Sequence, residues 1–307
     1  MRATREGYVQ GLLKAAEINS RVVVVDGDVS RSTGTAAFGN KFPERFFNLG
    51  IAEQNMAEYS AGLALAGFVP FYSTYAVFAV GRAYDQIPTS ICNMNLKVRI
   101  GGAHGGVSVG PDGATHQALE DIAAVRVLPN MTVLVPADAN QTAQAVLSSL
   151  EIDGPVYIRY GRNPVPQLYT EEKPVIPGKG NLLREGRHAS IIAVGAMVAK
   201  ALSAADALSR EGIHVSVADM VSVKPIDTSL LNHLAGNDCP FVTAEDHQIT
   251  GGLFGAVAEH CSQFRPTRIF PVAVRDRFGC SGTPEQVMEC CGLTAGSIMK
   301  EVKKALE

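Results

Sequence analysis

Short runs of β-branched and aromatic residues recur along the chain, each followed by a stretch of helical length whose apolar positions return every three or four residues. In the first half the runs are Arg21-Val22-Val23-Val24-Val25, Val69-Pro70-Phe71-Tyr72, Lys97-Val98-Arg99-Ile100, Thr132-Val133-Leu134-Val135 and Val156-Tyr157-Ile158. Continuous apolar runs of this length, separated by helices, predict strands of a mostly parallel sheet covered on both faces. The helix that starts near Ala52 carries Met56, Tyr59, Leu63 and Ala64 at helical spacing, with Ala57, Ala61 and Gly62 permitting close approach, and is expected to be buried.

Between Asn163 and Arg187 this alternation lapses into proline, glycine and charge. Prolines fix φ and remove backbone donors, so the lapse marks a boundary. A second alternating unit follows, with strands at 189–194, 215–218 and 241–244, a helix over 197–211, another after Gly251-Gly252, and a closing helix whose positions 298, 302 and 306 share a face. The expected architecture is α/β in two domains, each a mostly parallel sheet flanked by helices: residues 1–165, a linker over 166–187, and residues 188–307. No internal repeat is visible.

A chain of 307 residues is long enough for two cores. Its net charge of -3, without a block of lysine or arginine, offers no footprint for nucleic acid or an anionic membrane. No long apolar span or signal-like segment is seen, so a cytoplasmic protein is expected. Six cysteines lack CxxC or zinc-ligand spacing and read as reduced thiols, with Cys290-Cys291 an accident of a helix end.

The chemistry gathers at a few places. Glu53, in Gly50-Ile51-Ala52-Glu53-Gln54, opens the small-residue helix; burial there would favour its protonated form, although a first-turn acid is also ordinary helix chemistry. Tyr75 and Phe78 would face one way on a helix and could wall a flat slot, or simply fill a core. The segment 101–117 is too rich in glycine and polar residues to read as a buried element, and it holds His104, Asp112 and His116. Loops at the strand ends of such sheets carry ligands. Arg5 and Arg162 offer planar forks suited to an oxyanion.

Taken together, Ala3-Thr4-Arg5, Asp26-Gly27-Asp28, the Glu53 segment, Ser73-Thr74-Tyr75, Ala103-His104-Gly105-Gly106 and Asp112-Gly113-Ala114-Thr115-His116-Gln117 resemble the pyrimidine-binding half of the transketolase family of thiamine diphosphate enzymes. The resemblance implies that Glu53 is the catalytic acid that protonates the cofactor pyrimidine, that Tyr75 and Phe78 contact that ring, and that Asp28 lies near the cofactor across a subunit interface. It also implies that His104, Arg5, Arg162 and Ser32 bind substrate phosphate, that Asp112 meets a sugar hydroxyl, and that His116 meets the oxygens of the reacting intermediate. A third aromatic of the family pattern is here Gly81. The second unit resembles the family in Asp246-His247-Gln248-Ile249-Thr250-Gly251-Gly252 and Gly282-Thr283-Pro284, with no role evident for His247.

The family's Mg2+ site, Gly-Asp-Gly with a downstream Asn, is missing, since Val25-Asp26-Gly27-Asp28-Val29 lacks the second glycine. The expectation is therefore the C-terminal subunit of a split transketolase. A separate N-terminal, diphosphate-binding partner would supply the metal ligands in an α2β2 assembly that moves a two-carbon ketol unit between sugar phosphates. Deoxyxylulose-phosphate synthase is the nearest alternative, because Arg82-Ala83-Tyr84-Asp85-Gln86 resembles that family too. The β subunit of a 2-oxo acid dehydrogenase shares the architecture, and a non-catalytic regulatory subunit would keep only the fold.

Overall fold

The computed structural model describes residues 1–170, 173–237 and 239–307, so residues 171 and 172 of the expected linker lie outside it. Its strands in chain order are β1 (Arg2–Ala3), β2 (Val22–Asp26), β3 (Phe46–Asn48), β4 (Val69–Tyr75), β5 (Arg99–Ala103), β6 (Thr132–Leu134), β7 (Val156–Tyr160) and β8 (Pro164–Val165), then β9 (Asn181–Arg184), β10 (Ala189–Ala193), β11 (Val215–Asp219), β12 (Ser222–Lys224), β13 (Phe241–Gln248) and β14 (Ile269–Val274). One main sheet has the order β12-β6-β7-β5-β4-β2-β3 and a second β14-β13-β10-β11-β9, while β1 and β8 pair antiparallel in a small sheet of two strands. Each of the two larger sheets is parallel except at one edge, where β12 and β9 run antiparallel to their neighbours. The α/β architecture expected from the alternation is therefore present. Because β12 comes from the second half of the chain yet completes the first sheet, the two halves share backbone hydrogen bonds as well as side-chain packing.

Short β-branched runs make these strands because both sheet faces are covered, and β2, β5, β7, β10 and β11 are buried at every position. The helices Thr4–Ile18 and Ala139–Ser149 cross on one face of the first sheet, and Gly7 and Gly11 let them touch. Asp138 caps the second of these, accepting from the Gln141 backbone N–H at 2.8 Å. No described helix is long and apolar enough to cross a membrane.

Three expectations need correction. Gly101 and Gly102 are not loop but buried residues of β5. They are glycines because the hydroxyl ends of Tyr8 and Tyr157 occupy the space a Cβ would need, a cross-sheet contact that local polarity cannot reveal. The helix Glu53–Leu65 is buried on one face only: Met56, Ala57, Ser60 and Ala61 face the sheet, while Leu65 is 61% exposed. In the last helix, Ala295–Leu306, Ile298 and Val302 are buried, but Ala305 takes the inward place expected of Leu306.

The glycines allow a direct test. Alanine in place of a helical glycine gains up to about 1 kcal/mol in propensity. At Gly7 that gain is outweighed, since a Cβ would run into the Ala139 carbonyl and overpacking against backbone costs about 1–3 kcal/mol or more. At Gly62 nothing stands in the way. Gly7→Ala should lower the urea midpoint and Gly62→Ala should raise it by the equivalent of about 0.5–1 kcal/mol; equal effects at the two positions would contradict this packing.

Candidate active site

Four parallel strands deliver the site at their C-terminal ends, where such sheets present their loops. Register sets Tyr75 of β4 beside Ala103 of β5, and Ala103 beside Tyr160 of β7, so His104 and Arg162 leave the sheet close together. On the other side β2 ends at Asp26, whose buried carboxylate accepts from the Val29 N–H at 2.9 Å and the Thr35 hydroxyl at 2.7 Å. That pair of bonds shapes the turn bearing Asp28, at φ +64°, and Ser32. Arg5, at the start of the first helix, donates to Ser32 at 3.1 Å, reaching the carbonyl of this residue.

An aromatic group forms the floor. The Tyr75 ring stacks on His104 at 4.6 Å and lies 6.0 Å from Phe78, and Phe78 meets His116 edge-on at 5.3 Å. His104 is 2% exposed, and neither ring nitrogen makes a hydrogen bond within the described chain. Burial, reinforced by the positive charges of Arg162 and Arg5, pushes the His104 imidazole down to about 4. It is therefore a neutral donor and acceptor beside two cations. Arg162 pairs with Asp112 at 3.3 Å. Beyond Phe78, Gly81 borders an apolar hollow of about 290 Å3.

Glu53, at the head of its helix, is 3% exposed, yet its surroundings are not purely apolar. Arg82 Nη1 donates to Glu53 Oε2 at 3.1 Å, and the same guanidinium lies 4.1 Å over the Phe78 ring. This residue links the acid to the aromatic floor and was missed as a site residue; its four-residue spacing from Phe78 was the available signal. Asp28 stands apart from the floor, accepting from Asn48 Nδ2 at 3.0 Å, while Asn48 Oδ1 accepts from the Gly50 N–H at 3.0 Å at the approach to Glu53.

The 107–117 segment is held from the second half of the chain. Asp246 of β13 accepts from the Val107 N–H at 2.9 Å, and its carboxylate fills the space beside Gly106 so closely that a Cβ is excluded. Gln117 Nε2 donates to the carbonyls of Cys280, at 2.8 Å, and Val107, at 3.2 Å. Neither bracing residue carries a local sequence signal for this role. No cluster of three or more His, Cys, Asp or Glu side chains is placed to hold a metal ion among the described residues.

Comparison with known proteins adds a family to this geometry. Residues 1–167 match the model described as transketolase, pyrimidine binding domain, and residues 178–298 the model described as transketolase, C-terminal domain. The chain is 39% identical to a protein of Methanocaldococcus jannaschii named for a transketolase C-terminal section, covering 99% of this chain and 96% of that relative. It is 37% identical to a 6-deoxy-6-sulfo-D-fructose transketolase subunit of a Clostridium species, covering 99% and 94%. A 1-deoxy-D-xylulose-5-phosphate synthase of Heliobacterium modesticaldum is 36% identical over 95% of this chain but only 45% of its own length. Among solved structures, a split gene transketolase described as an inactive β4 tetramer superposes with a TM-score of 0.93 at 49% identity, covering 100% of this chain and 99% of that one.

The neutral state of His104 can be measured. Its imidazole signals, assigned by their loss in His104→Gln, should hold still from about pH 8 to about pH 5.5 and move only near pH 4. A midpoint near the ordinary value of about 6.5 would show that the ring is neither desolvated nor crowded by cations.

Proposed function

The chain belongs to the transketolase family, and from that premise we propose that it is the C-terminal subunit of a split enzyme transferring a two-carbon ketol unit from a ketose phosphate to an aldose phosphate. It acts in the cytoplasm with a separate diphosphate-binding subunit, in an α2β2 assembly. Residues 1–165 are the pyrimidine-binding unit and residues 188–307 the C-terminal unit, joined through 166–187, of which β9 is already an edge strand of the second sheet. The observation that carries this reading is one constellation: the buried Glu53 carboxyl, joined by Arg82 to Phe78, beside the Tyr75–His104 stack.

These residues fit thiamine diphosphate. A buried carboxyl, two aromatic walls and the unpartnered nitrogens of His104 are the donor set that its aminopyrimidine half and a sugar substrate require. Bound there, the cofactor supplies the nucleophilic carbon that carries the two-carbon unit. Glu53 holds a proton toward the pyrimidine N1', Tyr75 and Phe78 fix the plane of the ring, and Asp28, apart from this floor, lies near the cofactor across the subunit interface. Arg5, Ser32 and Arg162 receive the phosphate, with Asp112 free to turn from Arg162 to a sugar hydroxyl. His104 donates one neutral N–H to the same phosphate region, and His116, hydrogen-bonded to the Thr115 hydroxyl at 3.0 Å, faces the reacting oxygens.

The Mg2+ and diphosphate fall to the partner, because hard oxygen ligands in the required cluster are lacking among the described residues. The exposed side of the Glu53–Leu65 helix carries Gln54, Asn55, Glu58 and Tyr59, a mostly polar face that the partner would cover beside the acid. A self-assembled tetramer of the half-identical split transketolase is described as inactive, which supports a need for that partner. The deoxyxylulose-phosphate synthases match equally far along this chain, but the relatives of the same length are those named for transketolase.

Two measurements test the assignment. The chain alone should show no ketol transfer, and in the reconstituted pair Glu53→Gln should cut turnover by roughly a hundredfold or more, because an amide cannot pass a proton. Near-normal turnover would remove Glu53 from its role. Arg162→Ala should raise KM for a phosphorylated sugar roughly tenfold, since a charged hydrogen bond is worth about 1.5–3 kcal/mol. Hydroxypyruvate, without a phosphate, should be unaffected; equal losses for both would favour a 2-oxo acid substrate instead.

A further inference from the structure

Residues 275–283 form a collar against the 107–117 segment. Gln117 donates to the Cys280 carbonyl at 2.8 Å, Gly279 abuts the Gln117 side chain with no room for a Cβ, and Gly113 meets Ser281. The other side of the collar is tied to the helix Pro284–Cys290, where Arg277 donates to the Cys290 carbonyl. At this junction Cys280 Sγ lies 3.9 Å from Cys290 Sγ; both thiols are exposed, whereas Cys291 is buried. Small side-chain rotations would bring the two sulfurs to the bonding distance of about 2 Å.

Beside Cys290 lies a hollow of about 410 Å3 bordered by Arg275, Arg277 and Lys300, with Glu301 as its one acid. Glu301 is already met by Lys304 at 3.8 Å, so the hollow is left cationic. A small molecule bearing carboxylates would be drawn to it, and would arrive next to an exposed sulfur.

We propose that Cys280 and Cys290 are a thiol–disulfide exchange site, served by a small anionic disulfide in the cationic hollow, whose bridge staples the collar over the 107–117 segment. The proposal goes beyond the ketol-transfer reading and stands independently of it. Cys290, as thiolate, attacks one sulfur of the small disulfide; that S–S bond breaks, a mixed disulfide forms and one small thiolate leaves. Cys280 then gives its proton to water and attacks Cys290 Sγ, releasing the second small thiol. Two protein thiols are oxidised and one small disulfide is reduced to two thiols, a transfer of two electrons. The hydrogen bond from Cys280 to Cys290 raises the Cys280 thiol, which fits Cys290 as the first nucleophile.

The full chain should be incubated with excess glutathione disulfide and followed by intact mass and peptide mapping. The expected product has lost two hydrogens and contains a Cys280–Cys290 peptide. Cys280→Ser should stop at a stable mixed disulfide on Cys290, and Cys290→Ser should form no bridge. Neutralising the hollow with Arg275→Ala and Lys300→Ala should slow oxidation by glutathione disulfide roughly threefold or more, while leaving oxidation by the uncharged 2-hydroxyethyl disulfide unchanged. Amide exchange in 107–117 and 276–283 should slow roughly fivefold in the bridged chain. A bridge between Cys290 and Cys291, mixed adducts without a bridge, equal slowing with both disulfides, or unchanged amide exchange would each overturn the proposal.

Discussion

The 107–117 side of the site hangs from one buried cation. Arg159 enters from β7 into the seam between the two halves, donating through Nε and Nη2 to both oxygens of Asp121 at 2.7 and 3.1 Å, and through Nη2 to the carbonyls of Ala118 and Asp246 at 2.8 and 3.0 Å. Tyr157 completes the shell by donating to Asp121 at 2.6 Å. Burial raises the Asp121 carboxyl, but the charge and hydrogen bonds of Arg159, together with the other groups around it including the Tyr157 hydroxyl, hold it below its ordinary range. A buried pair of this kind adds little net stability, yet removing one partner costs about 3–5 kcal/mol. Its value lies in geometry, because a fixed guanidinium with several acceptors permits only one arrangement of the pieces it joins.

Those pieces are the ends of the 107–117 segment. Ala118 closes the 107–117 stretch, and Asp246 holds its beginning at Val107, so the Arg159 contacts pin both ends to one point. His247 extends the same seam. Its Nε2 accepts from the Ala123 N–H at 3.3 Å and its Nδ1 donates to the Gln248 carbonyl at 2.7 Å, a pattern that uses the neutral ring. Burial agrees, pushing His247 down to about 4. Nearby, burial lifts Glu245 to about 7 even though its carboxylate accepts from the Leu253 and Phe254 N–H groups at a helix start, at 2.7 and 2.9 Å. A residue with no evident function in the sequence thus proves to be a structural bridge.

What could be read from the sequence was what period and residue type encode locally. The β-branched runs gave strands, and the small-residue helix led by Glu53 was visible with its acid in place. Tyr75, Phe78, His104 and His116, spread over two segments, do come together, because parallel strands in register put successive strand ends side by side. What stayed hidden depended on contacts across the sheet or between halves. Gly101 and Gly102 look like loop until Tyr8 and Tyr157 are seen to need their space, and β12 cannot be assigned to the first sheet from its own three residues. Arg82 stands out in the sequence only within a motif shared with a neighbouring family, and its pairing with Glu53 spans 29 residues, beyond any local pattern.

That last pairing gives the buried Glu53 carboxyl its side-chain partner. A carboxyl with 3% exposure and no partner would be costly to bury, and nothing in the helix Glu53–Leu65 supplies one. Arg82 supplies it from outside, with half its side chain still in solvent and its plane against Phe78. A half-exposed guanidinium is cheap to move, since water can take over its hydrogen bonds, whereas a buried one such as Arg159 is not. The two arginines therefore differ by depth: Arg159, buried in the seam, fixes what must stay still, and Arg82, half exposed, meets the Glu53 carboxyl from the solvent side.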